Sequence, residues 1–147
     1  MVIHKIPHAC TCLITYSFTY VFITYIYPVV NIKDEDHIGK SDPYVKFEVE
    51  QDNALFDKDM GEMKSTVKAN DLNPVYHETF HFNIPTLDNM ELSVKIMDSD
   101  ALGDDSMGKC KIKLEELAHG PKTYEEKVRN SIFGMDSFVH LKLSYSE

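Results

Sequence analysis

The sequence predicts an all-β protein: eight antiparallel strands in a sandwich of two four-stranded sheets. Three observations lead there. Apolar and polar residues alternate with period two in one segment after another, the mark of a strand with one face in a core and the other in water. Turn-forming clusters such as Asp71-Leu72-Asn73-Pro74 separate these segments at short intervals. Strands do not alternate regularly with helical stretches, as they would in a parallel sheet.

A chain of 147 residues is the size of one domain and buries a core without staples. Its formal net charge of −9 excludes a diffuse basic grip on nucleic acid or on an anionic membrane. An anionic target would need a cation to reverse the local field. Cys10, Cys12 and Cys110 form no framework, which fits a reducing compartment and a cytoplasmic protein. Cys10-Thr11-Cys12 is too tightly spaced for zinc and has no partner pair.

Taken in order, the chain opens on an uncharged stretch between Lys5 and Lys33. Residues 9–30 are long enough for a membrane span, and Lys5 ahead of them gives the outline of a signal peptide. Their tyrosines, threonines and β-branched residues favour a strand. Seven strands lie downstream of Asp36, so residues 20–30 can supply the eighth, although Pro28 sits awkwardly in a central strand. Residues 1–19 are then an apolar extension and residues 20–147 the sandwich domain. Anchoring in a membrane by residues 9–30 is the alternative.

Residues 44–50 alternate, with Val45, Phe47 and Val49 inward. Residues 51–63 are polar, contain Gly61 and read as a loop; 64–68 form a short strand. Residues 75–84 read as a strand with Tyr76, Phe80, Phe82 and Ile84 on one side. Residues 90–96 and 110–114 alternate cleanly, which places Cys110 in the core beside Ile112 and Leu114. One helical turn over residues 114–119 is closed by Gly120-Pro121. Residues 123–129 suit helix and strand equally. Residues 138–145 are a strand with Val139, Leu141, Leu143 and Tyr145 inward.

Between the strands 90–96 and 110–114 runs Asp98-Ser99-Asp100-Ala101-Leu102-Gly103-Asp104-Asp105, four carboxylates in eight residues. Like charges this close repel, and a hard cation with six to eight oxygen ligands converts that repulsion into binding. A second acidic loop precedes residue 44: Asp34-Glu35-Asp36-His37-Ile38-Gly39-Lys40-Ser41-Asp42-Pro43. Asp34-x-Asp36-x-x-Gly39 and Asp98-x-Asp100-x-x-Gly103 begin like EF-hand loops. The required Glu at the twelfth position is Val45 or Lys109, and the flanks are strands, so that reading fails. His77 and His81 lie about 13 Å apart along one strand face, too far to share an ion. Lys64 and Lys68 are a thin basis for a basic face, with Glu62 close by. No nucleophile–base constellation, phosphate-cradling glycine loop or zinc spacing is present, so an enzyme is not expected.

These residues resemble the C2 domain, the calcium- and phospholipid-binding β-sandwich module. Asp36-x-x-Gly39-x-Ser41-Asp42-Pro43-Tyr44-Val45 looks like its first calcium loop. The stretch from Leu72-Asn73-Pro74 through Thr79-Phe80-His81-Phe82 looks like its middle strand, and Asp98-x-Asp100 with Asp105-x-x-Gly108 looks like its third loop. The resemblance implies a Greek-key sandwich with calcium-binding loops at one end. It also implies two or three Ca2+ ions held by Asp36, Asp42, Asp98, Asp100 and Asp105, with backbone carbonyls near His37 and Ser99. The third loop looks one residue short, which leaves Asp104 as a substitute for Asp105. The six aspartates Asp36, Asp42, Asp98, Asp100, Asp104 and Asp105 against Lys40 sum to −5. Calcium would cancel that charge and bridge to anionic phospholipid, while Ile38 and Leu102 at the loop tips enter the headgroup region. The expected module is peripheral, non-catalytic and drawn to the membrane when calcium binds. A scaffold that binds a protein partner, with structural or no calcium, is the competing expectation.

Overall fold

In the pattern Tyr44-Val45-Lys46-Phe47-Glu48-Val49, side chains alternate between the two faces of a strand, so every apolar member can enter one core. The computed structural model describes residues 19–25, 41–100, 103–129 and 136–146. Among them are eight strands: β1 (Thr19–Tyr25), β2 (Pro43–Gln51), β3 (Lys58–Lys64), β4 (Thr79–Ile84), β5 (Met90–Asp98), β6 (Asp105–Lys113), β7 (Lys122–Arg129) and β8 (Asp136–Ser146). A 3₁₀ turn, Leu114–His119, links β6 to β7 and buries Leu114 and Leu117, as the sequence led us to expect.

The strands follow the order β3-β2-β5-β6-β7-β8-β1-β4, and every neighbouring pair is antiparallel. The expected pair of sheets is one continuous ladder. Its halves, β3-β2-β5-β6 and β7-β8-β1-β4, join through the single residue pair Lys109↔Arg129. Phe47 on β2 and Phe80 on β4 nevertheless meet with ring centroids 4.9 Å apart, tilted by 44°. Those strands are distant in the order, so the sheet curls and its halves share one core. Val21, Ile23, Phe47, Val94, Ile96, Leu141 and Leu143 are fully buried in it. Each side chain of this size contributes about 1.5–3 kcal/mol on leaving water.

Several boundaries differ from the sequence reading. The first strand covers Thr19–Tyr25 and pairs with both β4 and β8. The remainder of the apolar run, residues 9–18 and 26–30, lies outside the described residues. Among the described residues no helix is long and apolar enough to cross a membrane. The expected loop 51–63 contains β3, and the expected strand 64–68 is not one. β3 is an edge strand whose inward residues, Met60 and Met63, are only partly buried, and its register with β2 shifts between Val49 and Glu50. That shift breaks the period-two signal. Residues beyond β3 stay tied to β2, as the Ser65 N–H donates to the Val45 carbonyl (2.9 Å) and the Lys68 N–H to the Pro43 carbonyl (3.0 Å). Residues 75–78 alternate in burial without joining the ladder, so that strand begins only at Thr79. Residues 122–129 are a strand.

Candidate metal centre

Register places the acidic residues. β5 ends at Asp98, which pairs with Pro43 at the start of β2 and with Asp105 at the start of β6. Asp42, Asp98 and Asp105 therefore lie at the same end of the same half-sheet.

Asp98 is 1% exposed. Its Oδ1 accepts the Asp42 N–H at 2.7 Å, and the Ser99 N–H donates back to the Asp42 carbonyl at 3.1 Å. Its Oδ2 is buried and has no hydrogen-bond partner among the described residues. A carboxylate oxygen held out of water without a donor is costly, and a coordinated cation removes the cost. Asp42 Oδ1 accepts the Asn70 N–H at 2.7 Å, and Asp104 Oδ2 accepts the Tyr44 hydroxyl at 2.7 Å. Burial and this bond to Asp104 push the Tyr44 phenol up to about 12. The Gly103 N–H donates to the Asp100 carbonyl at 3.3 Å, in a turn whose φ of +139° at Gly103 suits only glycine. Asp100 itself is exposed. Partial loss of water, then the negative fields of Asp98, Asp105, Asp42 and Asp104, hold its proton above the usual aspartate range. Four of the expected carboxylates thus act on a fifth, Asp100.

Asp42, Asp98, Asp104 and Asp105 lie near enough to Asp100 for their charges to bear on it, and Ser99 is half-buried. Asp36, His37, Ile38 and Leu102 lie outside the described residues. Among the described residues no three carboxylate, imidazole or thiol side chains already converge as a ligand set. The fit to calcium rests on donor chemistry: all-oxygen, multiply charged, with one buried oxygen unpaired.

Two tyrosines support the site. The Tyr76 hydroxyl, fully buried, donates to the Pro43 carbonyl at 2.6 Å, and Tyr44 reaches Asp104. The alternation of residues 75–84 signalled that Tyr76 points inward, but no local pattern shows which carbonyl it meets. The ammonium groups of Lys64 and Lys68 sit 5.7 Å from the ring centroids of Tyr44 and Tyr76. On the outer face Lys46 pairs with Glu48 (3.0 Å) and Glu62 (2.7 Å), and Lys95 pairs with Glu48 (2.6 Å). Acidic partners therefore compensate much of this lysine-bearing face. His77 and His81 are both exposed. Cys110 is partly buried against the core, and burial pushes its thiol up to about 12.

A curled antiparallel β-fold with Asp42, Asp98 and Asp105 at one end defines the class of protein. The C2 domain family model matches residues 22–129, and the chain belongs to the C2 domain family. Synaptotagmin-6 of Mus musculus is 33% identical over 123 residues, 80% of this chain and 23% of that protein. Synaptotagmin-9 of Rattus norvegicus is 38% identical over 99 residues, 65% of this chain and 19% of its own length. The chain therefore spans about a quarter or less of these relatives. Among solved structures, a C2 domain of plant extended synaptotagmin 1 superposes with a TM-score of 0.73 at 23% identity, covering 86% of this chain and 93% of that one. The calcium-bound pair of C2 domains of extended synaptotagmin 2 gives a TM-score of 0.66 at 22% identity, covering 86% of this chain and 45% of that one.

Proposed function

We propose that this domain docks on anionic phospholipid surfaces in a calcium-dependent manner, as a peripheral, non-catalytic targeting module. The observation that carries the reading is the buried Asp98 Oδ2, unpartnered among the described residues, on a residue joined to Asp42 by a hydrogen bond and to Asp105 by strand pairing. Asp36, Asp42, Asp98, Asp100 and Asp105 would hold two or three Ca2+ ions, with the backbone carbonyls of His37 and Ser99. Bound calcium would offer open coordination positions to lipid phosphate and carboxylate oxygens. The residues do the rest. The net −5 of the six candidate ligand aspartates with Lys40 repels anionic lipid until it is neutralised, which makes attachment conditional. The Asp42–Asp98 hydrogen bond fixes the ends of the first and third loops relative to each other. Ile38 and Leu102 add an apolar contact at the tips. The domain is cytoplasmic in this reading and moves to the membrane surface. The kinship with synaptotagmins supports it.

Cosedimentation with phosphatidylserine-containing liposomes tests the reading. Pelleting with calcium and release by chelator is expected. Unchanged calcium-dependent pelleting of Asp98→Asn/Asp100→Asn would overturn it. A second reading, a scaffold that binds a protein partner, draws on Leu55 and Phe56, each 85% exposed in the β2–β3 connection at the opposite end. No pelleting under either condition would favour it.

A further inference from the structure

The two aspartates that close the third loop have different surroundings. Asp105 opens β6, pairs through its backbone with Asp98, and its carboxylate accepts no hydrogen bond among the described residues. Asp104 lies one position earlier and accepts the Tyr44 hydroxyl across 60 positions of sequence. Successive side chains in extended backbone point to opposite sides. Tyr44 is well placed to hold one of the pair. It is 4% exposed, its backbone is paired with Met97 on β5, and Lys64 Nζ lies over its ring. The hydroxyl therefore comes from a fixed point, while Asp104 is exposed and follows a turn.

We propose that Tyr44 is a positioning residue that tethers Asp104 outside the ligand cage, so that Asp105 closes the cage and Asp104 acts on the cation only through its charge. This rests on the calcium reading above. A hydrogen bond to an ionised carboxylate is among the stronger single tethers available at a half-exposed site. Its donor belongs to the strand that follows Asp42, so it ties the third loop to the end of the first. Asp104 contributes to the negative field felt by Asp100.

The test is a double-mutant cycle on the full chain, read by calorimetric titration with calcium and by thermal unfolding of the metal-free protein. Tyr44→Phe is expected to weaken calcium binding roughly three- to tenfold and to lower the metal-free Tm. The same change on an Asp104→Ala background is expected to alter neither. Asp104→Asn keeps an acceptor for the hydroxyl. It should preserve the dependence of Tm on Tyr44 while weakening calcium binding by the loss of one charge. Equal effects of Tyr44→Phe on the wild-type and Asp104→Ala backgrounds would overturn the tether, as would a wild-type affinity indifferent to Tyr44→Phe. Loss of all calcium binding in Asp104→Asn would show that Asp104 is a direct ligand, and would overturn it too. A wild-type chain that binds no calcium would sink the calcium reading and this proposal together, whereas a calcium-binding wild type with an additive cycle sinks the proposal alone.

Discussion

The Asp42 backbone N–H donates to Asp98 Oδ1 at 2.7 Å, joining residues 56 positions apart, while the other oxygen of Asp98 is buried without a partner among the described residues. One side chain thus fastens the start of β2 to the end of β5 and keeps a negative atom in reserve. Asp98→Asn should separate these two duties. The amide oxygen can still accept the Asp42 N–H, but one charge among five neighbouring aspartates is gone. We expect the metal-free protein to be unchanged or up to about 1 kcal/mol more stable by urea unfolding, and calcium binding to fall at least tenfold by titration. A large loss of metal-free stability would show that Asp98 is chiefly structural.

Tyr76→Phe removes the hydroxyl that donates to the Pro43 carbonyl. That carbonyl also accepts the Lys68 N–H at 3.0 Å, so it is not left unpaired. The cost should be about 1 kcal/mol, near the low end for a buried hydrogen bond. Chemical denaturation checks it; a loss of about 3 kcal/mol would show that Lys68 does not compensate.

The outer face predicts a pH dependence. The hydrogen bond from Lys95, with a further one from Lys46, holds the Glu48 carboxyl below its ordinary value of 4.5. A carboxyl depressed in the folded state stabilises the protein above its unfolded pKa, and the benefit is lost as pH falls through the folded one. Glu48→Gln should therefore be about 0.5–1 kcal/mol less stable than the wild type at neutral pH. The two should converge well below pH 4.5. Urea unfolding at both pH values tests this, and a gap that persists in acid would mean the side chain matters by packing.

Cys110 should be a poor nucleophile. Burial first, and then the negative Glu126, push its thiol up to about 12, far from thiolate at neutral pH. In a Cys10→Ser/Cys12→Ser background, alkylation at mildly alkaline pH should be at least tenfold slower in the folded chain than in denaturant. Equal rates would place Cys110 outside the core.

Strands that bury every second residue were legible: β2, β5 and β8 follow their alternation closely. Edge and connecting pieces were not. β3 carries Lys58, Asp59, Glu62 and Lys64 around two half-buried methionines, so its place in the sheet depends on pairing with β2 and leaves little trace in hydrophobicity. Tyr76 is buried in a segment that is not a strand, because burial and ladder pairing are separate requirements. At the candidate site, the crowding of aspartates was legible as a pattern of like charge, and their use as ligands is the reading proposed above. The differing surroundings of Asp104 and Asp105 were not legible, because Tyr44 contacts that loop only in the folded chain.

The pairing of Tyr20 on β1 with Ser146 on β8 has a consequence for how such a unit is used. The first and last strands lie side by side and run oppositely, so both chain ends of the described unit leave together, at the pole away from Asp98. A unit wired in this way fits into a longer polypeptide like a plug with both leads at its back. Neighbouring segments can change in length or identity while the acidic pole still faces outward.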